Sequence, residues 1–549
     1  MKKAVAFLLA CILAASLFTG CSQQTSITDD KHVPSGTDTP EVEGSTEPGT
    51  FPISKEKITI NIMVPKTASH AKPFNDLDMI KEYEEKTNIH VEWNEVSSEA
   101  YEEKYKLILA SKNLPDAFGA GFGYDGSVIY KYAKEGIIIP LDDIIEEVGV
   151  NTKRFLKERE DFRNLTTYPD GHIYSLPAID ENQNIRIDSL IYINQTYLDI
   201  LSLEHPKTLD EFGDYLRQVT SKDLNGDGQK EYGLSFRSGS PNLNPITYLF
   251  GLFGASWDQN LYLHSTNDDD RLKFAPTMDE TRKALEYFNN WYKEGLIDPE
   301  IFTQNPQQLK AKGVTEGVAA SIVFWYLDLN SGDESKNEYR VLNMMEGPNG
   351  DKLWRRNGLI PGYNPNQFFI TNANKYPKET IRYIDYWMDN SDNALTNRFG
   401  PQEYSWDYLD DGTWTELPNI PTGEVRTMEN STLFCTWAHG IPYWCFADFW
   451  RQKTITAPTA LERAKSLDES YIPVATPGLP VLIYEEAENK EALAIKTDLF
   501  SYVDTQVAKF ITEGVTDETW NAYSKKTQSL KADRWVELYQ KYYDNMRGK

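Results

Sequence analysis

Ile58 to Val64 reads ITINIMV, Asp78 to Lys86 reads DMIKEYEEK, Ile89 to Val96 reads IHVEWNEV, and Tyr101 to Ser111 reads YEEKYKLILAS. The first run is apolar and β-branched, suited to a buried strand, and the third alternates as a second strand. The second run has helical character. The fourth is an amphipathic helix that Asn113-Leu114-Pro115 ends. Strands alternating with helices over this length predict an α/β unit with a largely parallel sheet. Farther along, Leu190 to Ile193 and Phe368 to Thr371 are short strands. Thr208-Leu209-Asp210-Glu211 fits a capping box, with Thr208 receiving a backbone N–H and Glu211 reaching back. Met278 to Glu294 places Ala284, Leu285, Phe288, Trp291 and Tyr292 on one helical stripe closed by Gly295, and Pro377 to Met388 and Trp520 to Met546 are amphipathic in the same way. No repeat is visible, which disfavours a solenoid or propeller.

The chain of 549 residues is long enough for two to four units, each with its own core. Its 83 acidic and 56 basic side chains give a formal charge of -27. That surface repels phosphate backbones, so no nucleic-acid partner is expected. Aromatic residues make up 13% of the chain, more than a core alone needs, and some are expected to line a binding surface.

Met1 to Gly20 has a positive start at Lys2 and Lys3, an apolar run from Ala4 to Leu17, and small residues from Ser16 to Gly20. The run is shorter than the roughly 20 residues that span a bilayer. Phe18-Thr19-Gly20-Cys21 resembles the lipobox of bacterial lipoproteins, in which the cysteine receives a diacylglyceryl group. Phe18 stands where leucine is usual. The competing reading is ordinary signal cleavage with an accidental Cys21. Acyl chains on Cys21, palmitate among them, would anchor the chain durably where two are attached. Residues 21–50 are rich in Ser, Thr, Pro and Gly and read as a flexible tether. No later segment has the length of a membrane span, so contact with the membrane is expected through the lipid anchor alone.

YEEKTNIHVEW, LILASKNLPDAF, YAKEGIIIPLDD, PDGHIYSLP, LIYINQTYLDILSLEHPKTLDEF, YKEGLIDPEIF, NRFGPQEYSW, YVDTQVAKFITEG and YQKYYDNM resemble, in this order, the extracellular solute-binding proteins of ABC importers. The likeness is to the large oligosaccharide-binding lipoproteins of the LplA-like and alginate-binding kind, and it runs from about Ile58 to Met546. It implies a two-lobed, type II periplasmic-binding-protein-like α/β fold with an interlobe ligand cleft and hinge crossings. One lobe is expected from 51–175 plus 360–400, the other from 176–359 plus 401–549, with a first crossing near Gly171 to Pro177. The implied function is capture of an oligosaccharide by a monomeric lipoprotein on the outer face of a Gram-positive cytoplasmic membrane, and its delivery to the transmembrane subunits of an ABC permease. A surface glycoside-active enzyme and a peptide- or signal-binding receptor lipoprotein are the alternatives.

Asp223, Asn225, Asp227, Gln229 and Glu231 place oxygen ligands at alternate positions around Gly226 and Gly228, as a calcium loop requires. Leu234 occupies the place of the usual final glutamate, so the loop is not a standard EF-hand. The family resemblance supports the shorter version, with Glu231 completing the shell around a structural Ca2+. A metal-free polar turn is the alternative.

Ser431 to Trp450 gathers Trp437, Tyr443, Trp444 and Trp450 around His439. Sugar rings stack an apolar face on aromatic planes, so Trp437, Tyr443 and Trp444 are candidate ligand residues. Trp257, Trp325, Tyr326, Tyr363 and Trp406 are further candidates near turns, each weighed against plain core packing. Arg355, Arg356 and Arg398 could pair with uronate carboxylates, or be ordinary surface or bridging charges. Cys435 and Cys445 could close a loop of about 11 residues worth roughly 2.5–3 kcal/mol, or remain buried thiols. Gly121-Phe122-Gly123-Tyr124-Asp125-Gly126 matches GxGxxG, but it follows the LPDAF turn, lacks the strand-to-helix setting and is read as loop. HExxH, GxSxG and the P-loop motif are absent from the sequence, so no enzyme is expected, and ATP hydrolysis would belong to another polypeptide.

Overall fold

The strand Ile58–Lys66 lies between Ile89–Ser97 and Ala117–Phe118, parallel to both, with Ile58 opposite Ile89 and Ile62 opposite Ala117. It is part of a six-stranded sheet in the order Trp444–Cys445, Leu176–Asp180, Tyr363–Ile370, Ala117–Phe118, Ile58–Lys66, Ile89–Ser97. Tyr363–Ile370 runs antiparallel to both its neighbours, so the sheet is mixed where a largely parallel one was expected. That strand enters from the opposite end because the chain returns here after building a second sheet. The computed structural model describes residues 45–547 except 71, 120–122, 183–185, 188, 239–244, 259–260, 267–270, 324–338, 357, 361, 427, 437–439 and 456–457. Cys21 and nearly all of the tether lie outside the described residues.

The second sheet has the order Tyr339–Val341, Leu190–Asn194, Val318–Val323, Tyr232–Leu234, antiparallel except for the last pair. Each sheet carries its own core. The first core draws on Ile60, Ile62, Val91, Phe162, Leu176, Phe368, Ile384 and Trp444. The second draws on Ile191, Phe212, Phe250, Phe288, Ala320, Leu499, Val503 and Tyr539. These are the two lobes of the expected α/β fold. The helix Leu209–Thr220 opens on the expected capping box at Thr208 and Glu211. Asp279–Lys293 buries Ala284, Leu285, Phe288 and Trp291 as its stripe requires.

Three boundaries differ from the sequence expectation. Leu176–Asp180 still belongs to the first sheet, so the chain leaves that sheet after Asp180, beyond the anticipated Gly171 to Pro177. Residues 401–450, expected with the second lobe, pack on the first: Trp444–Cys445 pairs parallel with Leu176–Asp180. Trp406, Trp414 and Trp450 form a small core with Ala178, Ala394 and Phe399. At the other end, residues 45–50 of the anticipated tether are held in place. The Arg382 guanidinium donates to the carbonyls of Thr46, Glu47 and Thr50 at 2.6, 2.9 and 3.0 Å. Such bonds from a charged donor are stronger than neutral ones.

The stretch Trp520 to Met546 divides into Asp517–Ser529 and Ala532–Met546, because Lys531 adopts a left-handed backbone at φ +66°. In the GxGxxG stretch, Gly123 to Asp125 are loop as read, but the expected lack of a strand-to-helix setting is corrected. The stretch follows the strand Ala117–Phe118 and ends in the helix Gly126–Lys134. The Asp125 carboxylate accepts from the Ser127 N–H at 2.9 Å and so places a negative charge at the helix start, where a phosphate would have to sit.

Candidate functional site

Ligands of open α/β sheets bind beyond the carboxyl ends of the strands. In the first lobe those ends present Asp125, Asp180 and the start of the strand at Tyr363. A cavity of about 590 Å³ opens here. Its walls come from both lobes: Tyr124, Tyr363 and Asn366 on one side, Arg356, Lys496 and Tyr539 on the other. Tyr363 is half-buried, its ring edge-on to Phe162 and its hydroxyl 3.3 Å from that of Thr166. Asn366 is fixed from behind, its side-chain oxygen receiving both the Tyr168 and Ser175 hydroxyls at 2.9 Å. A lining that mixes aromatic rings with polar side chains suits a ligand that is part apolar face and part hydroxyl.

Beside the cavity, Asp180 ends its strand, and the Tyr443 hydroxyl donates to its Oδ2 at 2.6 Å. Arg398 lies 3.7 Å from the same oxygen. Burial first, and then the Asp180 charge, raise the Tyr443 phenol well above its ordinary range, so it stays a neutral donor. Glu181 pairs with Arg159 at 2.8 Å. Arg356 is the exception to this pairing, with its Nε buried and no hydrogen-bond partner. Its pKa is lowered by burial and by the neighbouring Arg186, against the opposing pull of Glu181.

The other aromatic candidates separate sharply. Trp257, Trp406 and Trp444 are at most 1% exposed. Their indole N–H groups are satisfied inside the protein, on the Thr281 hydroxyl and the carbonyls of Gly400 and Pro177. No face of these three rings is open to a ligand; they are core. Trp325, Tyr326, Trp437 and His439 lie outside the described residues. The approach to Trp437 is anchored by His70, whose Nε2 is 2.8 Å from the Thr436 carbonyl. Cys435 and Cys445 are both buried free thiols, so the possible disulfide does not form here. They are packed into different cores, Cys435 with Ile441 and Cys445 with Trp450. Sequence reading missed Asn366 and Lys496, which the fold brings into one cavity lining, and Asp180, which it brings to Tyr443 and Arg398; none of them carries a motif.

In the Asp223–Glu231 loop, Asp223 accepts from the Gly226 and Gly228 N–H groups at 2.7 and 2.9 Å, and Asp227 accepts from Gln229 at 2.7 Å. Glu231 Oε1 accepts from Leu224 and Asn225 at 2.7 and 2.8 Å. Its Oε2 is buried without a hydrogen-bond partner. A buried carboxylate oxygen left so is costly unless a cation or proton satisfies it. The donor set is all oxygen, which fits a hard cation in chemistry and spacing. Among the described residues no three His, Cys, Asp or Glu side chains converge on one point.

Two α/β lobes that share a cavity and exchange chain across it define a bilobal binding protein of the hinge-closing class. The chain belongs to the bacterial extracellular solute-binding protein family, whose pattern matches residues 75–394. It is 28% identical over 519 residues to the fructooligosaccharide ABC transporter substrate-binding protein FusA of Streptococcus pneumoniae, covering 91% of this chain and 92% of that one. The structure of FusA in complex with kestose superposes with a TM-score of 0.75 at 26% identity, covering 89% of this chain and all of that one. An EF-hand mutant of FusA in complex with fructo-nystose gives a TM-score of 0.75 at 25% identity, with the same coverage. Among the described residues no helix is long and apolar enough to cross a membrane.

Proposed function

We propose that this protein captures an oligosaccharide in the cavity between its lobes and delivers it to the transmembrane subunits of an ABC importer. The observation that carries the reading is the cavity walled by both lobes, with Tyr363 and Asn366 in its lining, in a chain similar to FusA over nearly its full length. Closure of the lobes on the ligand supplies the state that a permease distinguishes, since a ligand touching both lobes binds the closed form more tightly. Tyr363 takes part at the cavity wall, Tyr443 and Arg398 act from beside it through Asp180, and Trp325 and Trp437 supply stacking planes. The chain acts as a monomer held by acyl groups on Cys21 at the outer face of the membrane.

The same reading places Ca2+ in the loop, held by side-chain oxygens of Asp223, Asn225, Asp227 and Glu231 and the carbonyl of Gln229. The buried Glu231 oxygen and the EF-hand mutant of FusA support it. The ion ties down the loop and takes no part in ligand chemistry. A thermal-shift screen of the purified protein against neutral and acidic oligosaccharides, with calcium and with chelator, tests both statements. A glycan that raises the melting temperature supports the binding reading. Stabilisation by peptides and by no glycan would replace it with the receptor alternative.

A further inference from the structure

Arg356 sits on the chain segment that returns from the second sheet to the first, and its side chain lines the interlobe cavity. Its Nε is buried without a partner, and no hydrogen bond or ion pair to the guanidinium is found among the described residues. Arginine does not shed its proton in a protein, so the charge persists. The carboxylate nearest in electrostatic effect, Glu181, is already engaged, by Arg159 at 2.8 and 3.2 Å and by the Ala447 N–H at 3.1 Å. The cation that presses on it, Arg186, has its own partner in Asp468.

A second cation, Lys496, lines the same cavity, with burial lowering its pKa against the attraction of Asp258. Of the acidic groups in the lining, Asp125 has an oxygen committed to the Ser127 N–H. In a chain of net charge -27, a half-buried arginine in the lining of a ligand cavity, its buried Nε without a partner, runs against the general charge. The desolvation of that Nε is uncompensated until an acceptor arrives.

We infer that the cavity is built for an acidic oligosaccharide, a sugar-ring carboxylate being received by the Arg356 guanidinium. The inference rests on the reading of the cavity as a saccharide site and adds the ligand's charge to it. The planar fork of arginine matches the two oxygens of a carboxylate. A hydrogen bond to a charged group contributes about 1.5–3 kcal/mol, or roughly 10- to 100-fold in affinity. Lys496 adds a less directional attraction.

The test is calorimetric titration with an oligogalacturonide, with the same oligosaccharide after reduction of its carboxyl groups, and with a neutral fructo-oligosaccharide. The acidic glycan is expected to bind at least about tenfold more tightly than its reduced counterpart. In Arg356→Gln that ratio is expected to fall towards one, and in Arg356→Lys to lie between. Equal affinity for the acidic and reduced glycans in the unaltered protein overturns the inference, and needs no variant to fold. So does a ratio that survives Arg356→Gln. Binding of the neutral glycan with no preference for the acidic one leaves the saccharide reading standing and removes the acidic ligand. Binding of none of the three removes both.

Discussion

Trp444→Ala separates a core tryptophan from a sugar platform. Trp444 is fully buried, packed against Phe155, Phe162 and Phe446 with ring centroids 6.0, 5.7 and 6.3 Å away, and its indole N–H donates to the Pro177 carbonyl at 2.8 Å. Truncating a buried aromatic of this size costs about 3–5 kcal/mol, and the stranded Pro177 carbonyl adds to the loss. At about 2–4 °C per kcal/mol for a unit of 150–250 residues, the first lobe should melt roughly 6–20 °C lower. Trp444→Phe keeps a ring but loses the N–H, and should cost less, about 1–3 kcal/mol. Calorimetry of the three proteins, with and without a stabilising glycan, reads the melting temperature and the ligand-induced shift separately. The core assignment predicts a large fall in melting temperature, with ligand still producing a shift in whatever remains folded. An alanine variant that melts within about 2 °C of the parent, yet has lost its response to glycan, would refute the reasoning and return Trp444 to the binding site.

Calcium at 100 times its dissociation constant should stabilise the protein by about 2.7 kcal/mol, and Glu231→Gln should abolish the difference between melting curves in calcium and in chelator. Persistence of that difference in the variant would place the ion elsewhere. Burial holds the His70 imidazole below its ordinary value of 6.5. The unfolded chain therefore takes up its proton first, and the stability His70 contributes is present above about pH 6.5 and lost as pH falls through the folded-state value. His70→Gln should flatten the melting temperature between pH 7 and 5 (about the window set by that ordinary value), and an unchanged pH profile would remove His70 from the account. In a protein lacking Cys21, Cys435 and Cys445 should react with a thiol reagent only after denaturation, and reductant should leave the melting temperature unchanged. A fall in melting temperature with reductant would mean the two are bonded.

The opening of the fold is legible because its signals are local. Ile58–Lys66 and Ile89–Ser97 carry their β-branched runs, and Leu209–Thr220 its cap at Thr208. The place of Trp444–Cys445 in the first sheet was not legible. Two residues make too short a strand to carry a period, and their pairing with Leu176–Asp180 is a matter of long-range closure. The same limit applies to the site. A tryptophan near a turn looks alike in sequence whether it faces a ligand or, as with Trp257 and Trp406, turns inward and satisfies its N–H on an internal hydroxyl or carbonyl. Asp180 and Asn366 are ordinary polar residues until the chain crossings bring them beside Tyr443 and Tyr168.

The central claim is that the cavity between the lobes holds an oligosaccharide that leaves chemically unchanged. Its most direct test is titration calorimetry with the glycan that stabilises the protein best, followed by chromatography of the recovered sugar. The account predicts one glycan bound per chain and full recovery of intact glycan after prolonged incubation at low protein concentration. Shortened products accumulating beyond the amount of protein present would contradict it and make the protein an enzyme.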